Sequence, residues 1–181
     1  MDLLERQTQL EELAQHLRAA AAGTGKIVFV SGEAGAGKSA VVELFAQQAP
    51  RGTRLLWGHC DALQTSRVLG PVHEVASGLS LQASSTESSS REALFGRLLE
   101  RLSPPHPVSL VVLEDIHWAD EATLDFVRFL GRRIQRTRCL LIATHRDDEL
   151  PATHPLRAVL GELIGQHAAR LRAPPLSLAA V

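Results

Sequence analysis

Residues 32–39, GEAGAGKS, set three glycines, a lysine and a serine at the spacing G-x-x-x-x-G-K-[ST]. Gly32, Gly35 and Gly37 allow successive backbone N–H groups to turn inward around phosphate oxygens without side-chain clash. Lys38 is placed to reach the β- and γ-phosphates, and Ser39 offers a hydroxyl to Mg²⁺. Glu33, Ala34, Ala36 and Ala40 complete the backbone expected against the ligand. A helix following the loop would direct its N-terminal dipole at the same charge. The chain has 13 glycines, and Lys26 and Lys38 are its only lysines. A chance match to this pattern is then on the order of one in a thousand. The expected ligand is ATP or ADP with Mg²⁺, and Lys38 is read as an exposed loop charge with no role in the core.

A second constellation follows at residues 110–115, LVVLED, where four apolar residues of a buried strand lead into two acids. Such a strand delivers its acids to the edge of the sheet beside a phosphate loop. Glu114 is expected to hold Mg²⁺, directly or through water, and Asp115 to orient or deprotonate the attacking water. Acids that merely cap a strand end are the plainer alternative. His117 and Trp118 either flank the nucleotide or pack the strand-to-helix turn. Asp120, three residues before Thr123, has the spacing of a helix N-cap. After a further apolar run come Ala143, Thr144, His145 and Arg146, where nucleotide-sensing groups sit in this kind of architecture. Arg146 either reports the γ-phosphate or pairs with Asp147, Asp148 or Glu149. The candidate catalytic set is thus Lys38, Asp115 and Arg146.

These groups need a frame. Leu10, Leu13, Ala14 and Leu17 recur at helical spacing over residues 7–20, and a strand at 26–30 runs into the loop and a second helix. Further strands are expected at 54–58, 108–113, 139–144 and 168–172. They alternate with helices at about 70–79, 91–102, 121–135 and 155–166. Pro71 suits a first helical turn. The helix at 121–135 would bury Leu124, Val127, Leu130 and Ile134. Strands alternating with helices through short connections give an α/β, three-layer P-loop sandwich with a mainly parallel, five-stranded sheet and helices on both faces. Residues 80–90, SLQASSTESSS, read as a mobile polar loop.

With 181 residues the chain suits one α/β domain, and 45% hydrophobic with 22% charged residues is an ordinary globular balance. A net charge of -1 gives no global pull toward nucleic acid. Arginines 128, 132, 133, 136 and 138 form a basic helix end, read as a solvated face or as a nucleic-acid or subunit contact. Two distant cysteines and eight histidines without ligand spacing argue against a disulfide framework or a metal centre. The amphipathic start and the lack of a long apolar run point to a cytoplasmic protein without a membrane span.

GEAGAGKS, LVVLEDIHWADEATLDFVRFL and LLIATHRDDEL in that order resemble the nucleotide-binding domain of large LuxR-type bacterial regulators. Those belong with signal-transduction ATPases, relatives of the AAA and origin-recognition ATPases. The opening LLERQTQLEEL is similar to that family's adenine-side element, with Glu5 and Gln9 departing from its pattern and Arg6 matching it. The resemblance implies an adenine contact for Arg6 and an ATP-driven regulatory switch. It also implies a helical lid, a winged helix and a C-terminal DNA-binding domain beyond this region. The expectation is therefore a P-loop core over 1–181 without them, weak nucleotide binding, possible self-association and no direct DNA contact. A nucleotide-binding module without turnover and a P-loop small-molecule kinase are the competing readings.

Overall fold

A computed structural model of the chain describes residues 6–62, 67–81, 90–165 and 167–173. Residues 82–89, the bulk of the expected polar loop, lie outside the described residues. The chain alternates helix and strand: α1 (Gln7–Ala21), β1 (Lys26–Ser31), α2 (Lys38–Gln47), β2 (Arg54–His59), α3 (Gly70–Gly78) and α4 (Arg91–Arg101). It continues with β3 (Ser109–Glu114), α5 (Glu121–Gly131), β4 (Cys139–His145), α6 (Pro155–Leu163) and β5 (Ala168–Arg172), with 3₁₀ turns at Ile116–Trp118 and Ile134–Arg136.

All five strands pair in parallel, in the order β2-β3-β4-β1-β5. Among the described residues the sheet is therefore wholly parallel. β3 and β4 are buried along their whole length except at Glu114, as continuous apolar runs covered on both faces must be. On one face Val28, Val30, Leu110, Val112, Leu140 and Ile142 pack against Leu13 and Leu17 of α1 and Val41, Val42 and Phe45 of α2. On the other, Ile27, Phe29, Val111, Leu113 and Leu141 meet α3, α4, α5 and α6. No helix among the described residues is long and apolar enough to cross a membrane.

Two helices end earlier than their periodicity suggests. α5 stops at Gly131 instead of 135, because the chain must turn back to enter β4. Ile134 is still buried, by the 3₁₀ turn. A side chain at Gly131 would lie 2.8 Å from Leu163 Cδ1 and 3.2 Å from Ile27 Cδ1, so the missing Cβ lets α6 approach the end of α5. α6 stops at Leu163, where Gly165 at φ +95° takes the left-handed conformation that closes helices. The start of α5 is fixed as its spacing predicts: Asp120 Oδ1 accepts the Thr123 N–H at 3.1 Å. Its other oxygen accepts the Leu69 N–H at 3.2 Å, tying α5 to the start of α3.

Candidate functional site

Because β3, β4 and β1 are consecutive and parallel, their carboxyl ends lie side by side, about 4.8 Å apart from strand to strand. Everything the sequence singled out for chemistry on those strands therefore reaches one edge of the sheet. β1 ends at Ser31 and the chain turns through Gly32–Gly37 into α2, which begins at Lys38. Gly35 and Gly37 hold φ values of +75° and +79°, a region open to glycine without strain. Gly32 is required for a different reason. A Cβ there would sit 2.4 Å from the Ala173 carbonyl oxygen, on the segment that leaves β5.

Lys38 departs from its expected exposure: it is 7% exposed, and its ammonium donates to the carbonyls of Gly32 and Glu33, both at 2.9 Å. Burial pushes its pKa below the ordinary lysine range, opposed by the charge of Asp115. The physical reason for the departure is that backbone oxygens at the loop entrance solvate the charge in place of water. Glu33, Ala34, Gly35 and Ser39 are exposed, and Ala36 is buried. Arg6, just before α1, is 2% exposed, and its Nη2 donates to the Ala36 carbonyl at 2.9 Å.

The strand's two-residue alternation puts Glu114 on the same sheet face as Leu110 and Val112, the face covered by α1 and α2. One oxygen of Glu114 lies 3.7 Å from His59 Nε2. The other is enclosed and has no hydrogen-bond partner among the described residues. His59 is held in turn by Glu74 of α3, whose Oε2 lies 3.1 Å from its Nδ1 and accepts its backbone N–H at 2.9 Å. A carboxylate oxygen without a donor, on the face of the phosphate-loop helix, has the chemistry of a site for a hard cation or its water. Glu114 therefore has the chemistry to take Mg²⁺ or its water, and Ser39 offers an exposed hydroxyl in the first turn of α2.

Asp115 leaves the strand in the left-handed conformation, φ 52° and ψ 46°. Its N–H donates to Thr144 Oγ1 at 2.9 Å, and its carboxylate is the leading charge acting on the Lys38 ammonium. Thr144, 1% exposed at the end of β4, is the residue that sequence reasoning passed over in favour of Arg146. Its signal was available: it continues the Leu140–Ile142 alternation onto the phosphate-loop face.

Arg146 pairs with Glu149 and lies over the Trp118 ring, 5.2 Å from its centre. His117 is buried in the strand-to-helix turn, 4% exposed, with Nε2 3.2 Å from Glu149 Oε2 and Nδ1 3.8 Å from Asp115 Oδ1. Burial lowers its pKa against the pull of Asp115 and Glu149. His145 is fully buried against Phe29, and burial lowers its pKa to about 4 despite Asp147 at 3.3 Å. The arginines near the end of α5 are largely engaged within the chain. Arg128 and Arg132 pair with Glu162, Arg133 covers Phe129, and Arg138 donates to the Ala21 carbonyl at the end of α1.

A family model described as an AAA ATPase domain matches residues 2–142, most of the chain. No curated protein matches. Among solved structures, Cdc6p from Pyrobaculum aerophilum superposes with a TM-score of 0.65 at 22% identity, over 93% of this chain and 45% of that one. The Aeropyrum pernix ORC1 protein, solved in complex with DNA, gives 0.64 at 19% identity, over 96% and 46%. The ORC2 protein of the same organism, solved as ADPNP-ADP complexes, gives 0.64 at 14% identity, over 99% and 50%. At these identities the likeness is one of fold, and the chain spans about half the length of the solved chains it matches.

Proposed function

Because this chain belongs to the AAA ATPase domain family, we propose that it binds ATP with Mg²⁺ and hydrolyses it slowly, as the nucleotide switch of a LuxR-type transcriptional regulator. The observation that carries the nucleotide reading is the phosphate loop itself: two left-handed glycines, a buried lysine charge and the start of α2 converge at the end of β1. Gly32 through Ala40 surround the phosphates in this reading. Ser39 and Glu114 hold Mg²⁺, which when bound neutralises charge on the phosphates and on the leaving group. Asp115 accepts the proton of the water that attacks the γ-phosphorus, the bond to the β-γ bridging oxygen breaks, and ADP and inorganic phosphate are released. Lys38 supports the charge on the transferred group. Arg146 meets the γ-phosphate after leaving Glu149.

The regulatory part of the reading rests on the ordered motifs GEAGAGKS, LVVLEDIHWAD and LLIATHRDDEL. DNA contact is assigned to other regions of such regulators, in keeping with the internal pairing of Arg128, Arg132 and Arg138. The edge strand β2, which leaves Leu55 49% exposed, is the surface offered for self-association. A cytoplasmic setting completes the proposal.

One observation favours the rival reading of a switch that binds without turnover: Arg146 is committed to Glu149 and Trp118. Steady-state phosphate release in the wild type and in Asp115→Asn separates the two. Release that depends on Mg²⁺ and is lost in the variant supports hydrolysis. Tight binding with no release in either protein leaves the non-hydrolysing switch.

A further inference from the structure

We propose that Arg6 is a positioning residue of the phosphate loop, fixing the peptide plane between Ala36 and Gly37 so that the Gly37 N–H faces the phosphates. The inference rests on the nucleotide reading above and deepens it. A trans peptide is planar, and its C=O and N–H point in opposite directions. Whatever fixes the carbonyl of Ala36 therefore fixes the N–H of Gly37 on the other side of the same plane. Arg6 Nη2 donates to that carbonyl at 2.9 Å in a buried bond, and the residue as a whole is 2% exposed, so water competes little for it. Gly37 itself offers little resistance to rotation of that plane. At φ +79°, it caps α2 and has no side chain to limit rotation of the adjoining plane.

The guanidinium also stands close to that plane. A Cβ built on Gly37 would meet Arg6 Nη2 at 4.0 Å, its nearest neighbour. A rotated plane would aim the Ala36 carbonyl at the phosphates and remove an N–H from the cradle, adding repulsion where attraction is needed. Arg6 immediately precedes α1, whose Leu13 and Leu17 are locked in the core, and so acts from a rigid base. The element that resembles an adenine-side motif thus acts, in this chain, on the loop backbone rather than on the base.

The two roles are separable by ligand. Inorganic tripolyphosphate occupies the phosphate loop and has no base. Binding of ATP and of tripolyphosphate is measured by calorimetry for the wild type, Arg6→Met and Arg6→Lys, well below each protein's Tm. The methionine keeps the apolar stem without a donor, and is expected to weaken both ligands about tenfold or more and by the same factor. The lysine keeps one donor and the charge, and is expected to stay within about threefold of the wild type. Weakening of ATP with tripolyphosphate unchanged would assign Arg6 to the adenine and overturn the proposal. So would unchanged affinity for both with a lowered Tm, which would make Arg6 a purely structural residue. Absence of binding of either ligand to the wild type would instead refute the phosphate-loop reading itself. Should the methionine variant not fold, Arg6→Gln is read against the same two ligands by the same criteria.

Discussion

Replacing Lys38 by alanine removes two hydrogen bonds as well as a charge, and the two losses act on different measurements. Lys38 is 7% exposed, and its ammonium donates to the carbonyls of Gly32 and Glu33 at 2.9 Å. Hydrogen bonds from a charged group contribute about 1.5–3 kcal/mol each, but burying an ammonium costs much of that, and water enters to solvate the two freed carbonyls. A net loss of about 1–2 kcal/mol follows, which lowers the Tm of a chain of this size by roughly 2–8 °C. The nucleotide suffers more, because one charge-assisted contact to phosphate is worth about 1.5–3 kcal/mol and has no substitute in the variant. The Kd for ATP should rise by roughly 10- to 150-fold. Thermal unfolding and a fluorescent-nucleotide titration, the latter at least 15 °C or so below the variant's Tm, read the two effects separately. An ATP affinity within twofold of the wild type would refute the phosphate-loop assignment. An unchanged Tm would refute the claim that the lysine braces the loop.

Asp115→Asn keeps a short side chain that accepts the left-handed corner and keeps the N–H bond to Thr144. It should therefore bind Mg-ATP within about threefold and lose phosphate release by about a hundredfold or more. Loss of binding like that of the Lys38 variant would exchange the roles of Glu114 and Asp115. Asp120→Ala removes the α5 cap and the tie to Leu69, and should cost about 1–2 kcal/mol in thermal unfolding, with ATP affinity within twofold of the wild type. His145 titrates at about 4 when folded, its neutral form favoured by burial and by the charges of Arg170, His117 and Lys38 against Asp147, and near 6.5 when unfolded. The unfolded chain takes up this proton first as the pH falls. Stability is therefore unaffected above about pH 7, declines between about 6.5 and 4 and levels off below, by a few kcal/mol at most. His145→Gln should flatten that part of a pH series of denaturant unfolding midpoints. An equally steep decline in the variant would place the titration elsewhere.

The strands and the acids they carry were legible because their signals are local. A run such as LVVLED needs only its own residues to announce a buried strand with a charged end, and Asp120–Thr123 announces a cap by spacing alone. What escaped are contacts across the chain whose partner is backbone. Nothing in the types of Gly32 and Glu33 signals that their carbonyls bury the Lys38 charge. Arg6 reaches a carbonyl 30 residues away, which local pattern cannot encode. Thr144 looks like the polar end of an apolar run, and its bond to Asp115 becomes visible only once β3 and β4 are known to be neighbours. Helix ends were overrun for a related reason. The periodicity that announces α5 continues through Ile134, yet the turn back into β4 decides where its regular turns stop.

The left-handed corner at residue 115 also explains the order in which the two acids are written. Glu114 is the last residue of an extended strand, a conformation open to any side chain, whereas the next residue holds φ 52°. In that region a longer side chain is disfavoured by about 1 kcal/mol or more, while aspartate and asparagine settle there with the help of their own short polar groups. The pair Glu114→Asp with Asp115→Glu would preserve both charges and still set the longer acid on the bend. Spelling at this position is thus constrained by chain geometry before any chemistry is performed. Glutamate is open at the first place and disfavoured, by that modest margin, at the second; Leu69 at φ 59° shows that a longer side chain can be carried in that region.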